Sequence, residues 1–199
     1  MKLDRYMFEH ACRWYRIHLE RDGSPVSLAV NVSKAGLFQN DFVDFYTDIK
    51  DKYSVPDGVL ELEFTESMLA ADTELFAELV VNLNARGFIC SLDDFGSGYS
   101  SLNLLKNLPI DVLKLDILFF HKSRDIRRER IVVSNVINMA RELNIKTIAE
   151  GVEDMDTVEF LRKAGCNVIQ GYVFAKPMPQ EDFEHLLMEN QDGPFGSGD

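Results

Sequence analysis

Oxygen-bearing side chains recur in this sequence wherever a short apolar run gives way to polar residues. Asn31 closes LAVN, Glu63 stands near the end of VLELEF, and Asp93 and Asp94 end FICSLDD. Glu150 follows KTIA, Gln170 follows NVI, and Lys114 lies within VLKLD. Asn31, Glu63, Asp93, Asp94 and Glu150 are hard oxygen donors, the kind that Mg²⁺ and Mn²⁺ take. Clustered without a cation, such carboxylates would repel one another and rise steeply in pKa. A carboxylate shared by two ions, with a second carboxylate beside it, suits a two-metal site that clamps a phosphoryl group and activates water. Lys114 adds a positive charge to hold or polarise that water. The chemistry implied is metal-assisted hydrolysis of a phosphate ester.

Taken singly, each residue has a plainer explanation. Asp-Asp before glycine is ordinarily a turn, and Asn31 alone reads as a loop or cap residue. Strict alternation places Glu61 and Glu63 on one strand face, opposite Leu60, Leu62 and Phe64. Lys114 between Leu113 and Leu115 reads as a solvated edge position. Only their shared placement argues for a site. Adjacent aspartates on a regular strand face opposite ways, so Asp93 and Asp94 reach one site only if the backbone leaves the strand there. Gly96 and Gly98 are expected to permit that departure. His10, His18, His121 and His185 fall on helices or loops away from the strand ends, and GSGYSS lacks the spacing of a P-loop.

The elements that must carry these residues alternate. Strands are expected at 26–32, 59–64, 88–93, 112–116, 145–149 and 167–170. A helix is expected around Leu75, Phe76, Leu79, Val80 and Leu83, with Asp72 as N-cap. A second covers Val132, Val136, Met139, Ala140 and Leu143. A third begins near 155 and stops at Gly165. An amphipathic stretch holding Tyr6, Met7, Cys12, Trp14 and Tyr15 precedes the first strand. Strands alternating with helices mean βα units, a parallel sheet and strand ends that share one rim, where such folds build their active sites.

The 199 residues carry a net charge of −12, which opposes binding to duplex DNA. Cys12, Cys90 and Cys166 are far apart and lack any CxxC, as expected of reduced cysteines in a cytoplasmic protein. No apolar run approaches the ~20 residues of a membrane span, so no membrane contact is expected within this chain. One domain is expected over residues 1–190, with 191–199 a flexible tail.

Together LAVNVS, LELEFTES, SLDDFGSGYSSLNLLKNLPIDVLKLD, IAEGVE and QGYVFAKPMP resemble the EAL family of bacterial cyclic di-GMP phosphodiesterases. The resemblance runs from about residue 3 to 187. It implies a TIM-like (β/α)₈ barrel, usually with one antiparallel strand, that hydrolyses cyclic di-GMP to linear pGpG with two Mg²⁺ or Mn²⁺ ions. It further implies that Asn31 and Glu63 bind the first metal, that Asp93 bridges, and that Asp94 and Glu150 hold the second. Lys114 and Gln170 would position the attacking water or its ligands. Glu66 would anchor the DDFGSGYSS loop, which also contributes to a homodimer, and Asp116 and Glu153 would support the substrate side of the rim. Ser97 replaces a commoner threonine, and Ile117 a commoner arginine.

The Glu-Ala-Leu motif that names the family is absent from the sequence. The resemblance therefore implies an N-terminally truncated barrel of about six βα units, with impaired activity. It also implies a full-length protein that can carry a sensor or GGDEF domain or a membrane anchor. The competing function is a non-catalytic cyclic di-GMP receptor or protein-interaction module of the same fold.

Overall fold

The computed structural model describes residues 2–21, 23, 25–37, 39–69, 73–95, 102–116 and 125–189. Six strands form one sheet in sequential order: β1 (Leu28–Asn31), β2 (Leu60–Thr65), β3 (Ile89–Phe95), β4 (Val112–Leu115), β5 (Lys146–Ala149) and β6 (Val168–Ile169). Every pairing between neighbours is parallel. Each return therefore needs a crossover, and helices supply it. These are α1 (Lys2–Glu20), α2 (Lys34–Leu37), α3 (Phe42–Lys52), α4 (Glu66–Leu69), α5 (Thr73–Asn84), α6 (Leu102–Asn107), α7 (Ile126–Glu142), α8 (Met155–Ala164) and α9 (Gln180–Glu189). Six parallel strands curl into part of a TIM-like barrel, as the sequence leads one to expect.

Burial of β2 on both faces explains its composition. Leu60, Leu62 and Phe64 are fully buried, and Phe64 meets Phe76 of α5 edge-on at 5.2 Å. That face is the helix side, where each fully buried side chain contributes about 1.5–3 kcal/mol. Glu61 and Glu63 occupy the opposite, inner face and are buried as well. Register carries the inner face across the sheet, because Cα partners in parallel strands point the same way: Asn31 pairs with Glu63, Glu63 with Ser91, and Lys114 with Ile148.

The helices follow local rules, with differences from the sequence reading. On α1 the buried residues are Phe8, Cys12, Trp14, Tyr15 and His18, while Tyr6 and Met7 face solvent. Phe8 claims the core side by packing on Tyr46 at 4.4 Å. α7 starts at Ile126, ahead of the expected apolar run, because the Asp125 side chain caps it by accepting from the Arg127 and Arg128 amides. α8 matches the expectation: Asp154 caps its start and Gly165 ends it at φ +87°. Asp72, the expected cap of α5, lies outside the described residues, as do His121 and 191–199. α9 returns to α1, where Trp14 Nε1 donates to Glu184 Oε1 at 2.7 Å. No helix among the described residues is long and apolar enough to cross a membrane.

Candidate active site

The adjacent aspartates reach one site through a β-bulge. Leu92 pairs with Leu113 and Phe95 with Leu115, so two residues of β3, Asp93 and Asp94, stand against one residue of β4, Lys114. Asp94 takes φ +59°, a left-handed conformation that aspartate tolerates better than most residues, and its amide donates to Asp93 Oδ1 at 2.8 Å. The backbone therefore departs from the regular strand at Asp94 itself. The expectation that Gly96 and Gly98 supply the departure is corrected to that extent, and those glycines, with Ser97 and Ile117, lie outside the described residues.

Lys114 is the hub of the rim. Only 6% exposed, it donates from Nζ to Glu63 Oε1 and, at 2.7 Å, to Glu150 Oε1. The solvated edge position that its neighbours imply is thus overturned, since β4 lies between β3 and β5 and is buried throughout. Burial works against the ammonium, but its hydrogen bonds to Glu150 and Glu63 prevail and hold its pKa above the usual lysine range. Burial raises the Glu63 and Glu150 carboxyls; the Lys114 hydrogen bond opposes this, and the charge of Asp93 adds to it. Asp94 is also raised, first by burial and then by Asp93, Asp116 and Glu150. Like charges 4 Å apart cost about 4 kcal/mol at an effective dielectric of about 20. One ammonium cannot neutralise all of the carboxylates gathered beside it.

The structure brings together Glu63, Asp93, Asp94, Lys114, Asp116 and Glu150. Asp116 stands close enough to Asp94 to help raise its carboxyl. Asn31 and Gln170 end strands on the same inner face but are exposed, one at each edge of the sheet. Gln170 is fixed by its backbone, donating to Ala149 O at 2.8 Å and accepting from Val152 N at 3.1 Å. Glu66 is buried at the start of α4, and the loop 96–101 that it is expected to anchor lies outside the described residues. Glu153 is exposed beyond β5 and is not among the groups acting on the Lys114 cluster. Sequence reasoning missed Gly171. A Cβ there would fall 2.1 Å from Val152 O and 2.3 Å from Val152 N, so only glycine lets the loops after β5 and β6 close on each other. Nothing in the local sequence around Gln170-Gly171-Tyr172 signals that crowding.

The donor set suits a hard divalent cation: all oxygen, mostly carboxylate, and electrostatically overloaded. As the side chains stand, no three or more His, Cys, Asp or Glu among the described residues are arranged to hold a metal ion. The oxygens of Glu63 and Glu150 are turned to the Lys114 ammonium instead.

Comparison with known proteins identifies the family and the fold. The family model described as EAL domain matches residues 1–177. The chain is 35% identical over 187 residues to cyclic di-GMP phosphodiesterase NbdA of Pseudomonas aeruginosa, covering 94% of this chain and 24% of NbdA. Among solved structures, the EAL domain of Mycobacterium smegmatis DcpA superposes with a TM-score of 0.87 at 31% identity, covering 94% of this chain and 84% of that one. The PaMucR phosphodiesterase, in its c-di-GMP complex, superposes with a TM-score of 0.84 at 35% identity, covering 92% and 74%. The chain spans about a quarter of the length of the curated relatives it matches, 23%, 26% and 24% for three of them.

Proposed function

The chain belongs to the EAL-domain family, and from that premise we propose that it carries the catalytic centre of a metal-dependent hydrolase that opens one phosphodiester of cyclic di-GMP to give linear pGpG. The observation that carries the reading is the meeting of Glu63 and Glu150 on Lys114 with Asp93 and Asp94 beside them, both aspartates sitting at the β3 bulge. The c-di-GMP complex of PaMucR supports the choice of substrate.

In this reading Asn31 and Glu63 would hold one Mg²⁺ or Mn²⁺ ion and Asp94 and Glu150 the other, with Asp93 contributing to both. When bound, the ions supply Lewis-acid stabilisation of the phosphoryl oxygens and lower the pKa of water. The residues do the rest. Glu63 and Glu150 would lend oxygens to the cations while keeping Lys114 between them, which leaves one of its three Nζ hydrogens for the scissile phosphate or the incoming water. Those two contacts hold Lys114 protonated, so it would orient and stabilise charge without accepting a proton. The Gln170 amide orients the same water from the β6 end. Asp116 steadies Asp94, and Glu66 and Glu153 hold the loops around the substrate. Residues 1–190 are the catalytic domain, 191–199 a tail. A homodimer, a sensor or GGDEF partner domain and a cytoplasmic location complete the proposal.

The test is incubation of the protein with cyclic di-GMP and Mn²⁺, followed by chromatography of the nucleotides. Linear pGpG that disappears on chelation is the expected result. Absence of pGpG at any protein concentration overturns the hydrolase reading, and retained nucleotide binding in that case favours a receptor.

A further inference from the structure

Asn31 is held differently from the other proposed metal-holding residues. It ends β1, an edge strand hydrogen-bonded among the described strands to β2 alone. An exposed residue at the end of an edge strand frays unless the chain beyond it is tied down. Here the tie comes from the first turn of α1. Asp4 Oδ2 accepts from the Ser33 hydroxyl and, at 3.3 Å, from the Ser33 amide. Ser33 Oγ in turn accepts from the Gly36 amide at 3.1 Å. A Cβ at Gly36 would lie 2.9 Å from Asp4 Oδ2, so the loop packs against the carboxylate with no room for a side chain. Just past Asn31, the Val32 amide extends the ladder by donating to Glu63 O at 3.0 Å. Burial raises the Asp4 carboxyl, but the Ser33 hydrogen bonds help to lower it on balance, which keeps it an acceptor at neutral pH. The neighbouring Arg5 makes an independent tie from the same turn, to Asp41 at 2.5 Å, and does not touch the Asn31 segment.

We propose that Asp4 is a positioning residue of the metal centre, acting through Ser33 to hold Asn31 where a divalent cation can use it. The inference rests on the hydrolase reading above. Partners hydrogen-bonded directly to a ligand are worth about 10–100-fold in metal affinity, and Asp4, one step further out through Ser33, should come at the lower end.

The test compares the chain with Asp4→Ala, Asp4→Asn, Ser33→Ala and, as control, Arg5→Ala. Two readouts are used: Mn²⁺ affinity by calorimetry, and amide exchange of Val32 and Ser33 in metal-free protein. Asp4→Ala and Ser33→Ala should weaken Mn²⁺ binding about 10-fold, the lower end for outer-shell partners, and speed exchange at both amides. Asp4→Asn, which keeps an acceptor oxygen, should recover most of both, and Arg5→Ala should change neither. Should Asp4→Ala fail to fold, Ser33→Ala carries the comparison. Unchanged affinity in the folded variants, or an equal loss in Arg5→Ala, overturns the inference alone. A chain that binds no Mn²⁺ in its unsubstituted form overturns the metal reading and this inference together.

Discussion

Lys50 and Lys114 are buried to the same 6% exposure, at opposite ends of the strands. Lys50 lies near the N-terminal ends of β2 and β3, paired at 2.5 Å with Asp57, whose side chain is 76% exposed. Its ammonium stands 5.9 Å from the Phe88 ring centroid, and its partner lies close against Gly87, where a Cβ would fall 2.1 Å from Asp57 Oδ1. It closes a turn. Lys114 instead meets two buried or half-buried carboxylates, with three more beside them. Burial of a lysine therefore says little by itself. The partners decide: a solvated carboxylate balances Lys50, whereas the rim around Lys114 keeps an excess of acidic groups that protons or bound cations would relieve.

Substitution of Lys114 should separate the two regions most widely. Lys114→Met leaves Glu63 and Glu150 without their shared ammonium, and breaking a buried pair in this way costs about 3–5 kcal/mol. Denaturant melts of metal-free protein at neutral pH should register that loss, and Mn²⁺ should restore much of it by taking over the neutralising role. Turnover of cyclic di-GMP should still fall by about 10²–10³-fold, the range associated with losing one preorganised electrostatic donor. If Lys114→Met hydrolyses cyclic di-GMP at the parent rate, the ammonium has no part in the reaction.

Lys50→Met is the counterpart at the other end. Methionine keeps the apolar stem against Phe88, and Asp57 remains hydrated, so the cost should be about 0–1 kcal/mol. Mn²⁺ affinity and turnover should match the parent. A large loss of activity in Lys50→Met would erase the contrast between the two ends of the barrel.

Much of the rim was legible because βα periodicity fixes which end of each strand faces the site. Asn31, Glu63, Lys114, Glu150 and Gln170 could be placed by counting from strand ends alone. The bulge could not, because alternation predicts opposite faces for Asp93 and Asp94 and only the pairing of Leu92 and Phe95 with β4 reveals the extra residue. Nor could Gly171 or Asp4. Both act through contacts between loops or elements distant in sequence, and nothing in the local pattern marks a glycine as crowded or a helical aspartate as an anchor. Family resemblance assigned roles to the rim residues but left that supporting layer unread.

The smallest expected effect tests whether burial alone can raise a carboxyl here without like charges around it. Asp111 sits at the N-terminal end of β4, where Oδ2 accepts from the Cys90 amide at 2.8 Å. Burial raises its pKa; the Cys90 hydrogen bond and the charge of Lys146 oppose that rise. A carboxyl raised on folding binds its proton more tightly in the native state. Its contribution to stability is therefore full below the unfolded value and is lost as pH rises through the folded one. Asp111→Asn keeps an oxygen for the Cys90 amide and removes the titration. Its melting temperature relative to the parent should become steadily more favourable between about pH 3 and pH 7, with turnover unchanged. A relative melting temperature that declines with pH would mean that the hydrogen bonds to the ionised Asp111 outweigh its burial. The raised carboxyls of the rim would then owe more to mutual repulsion than to desolvation.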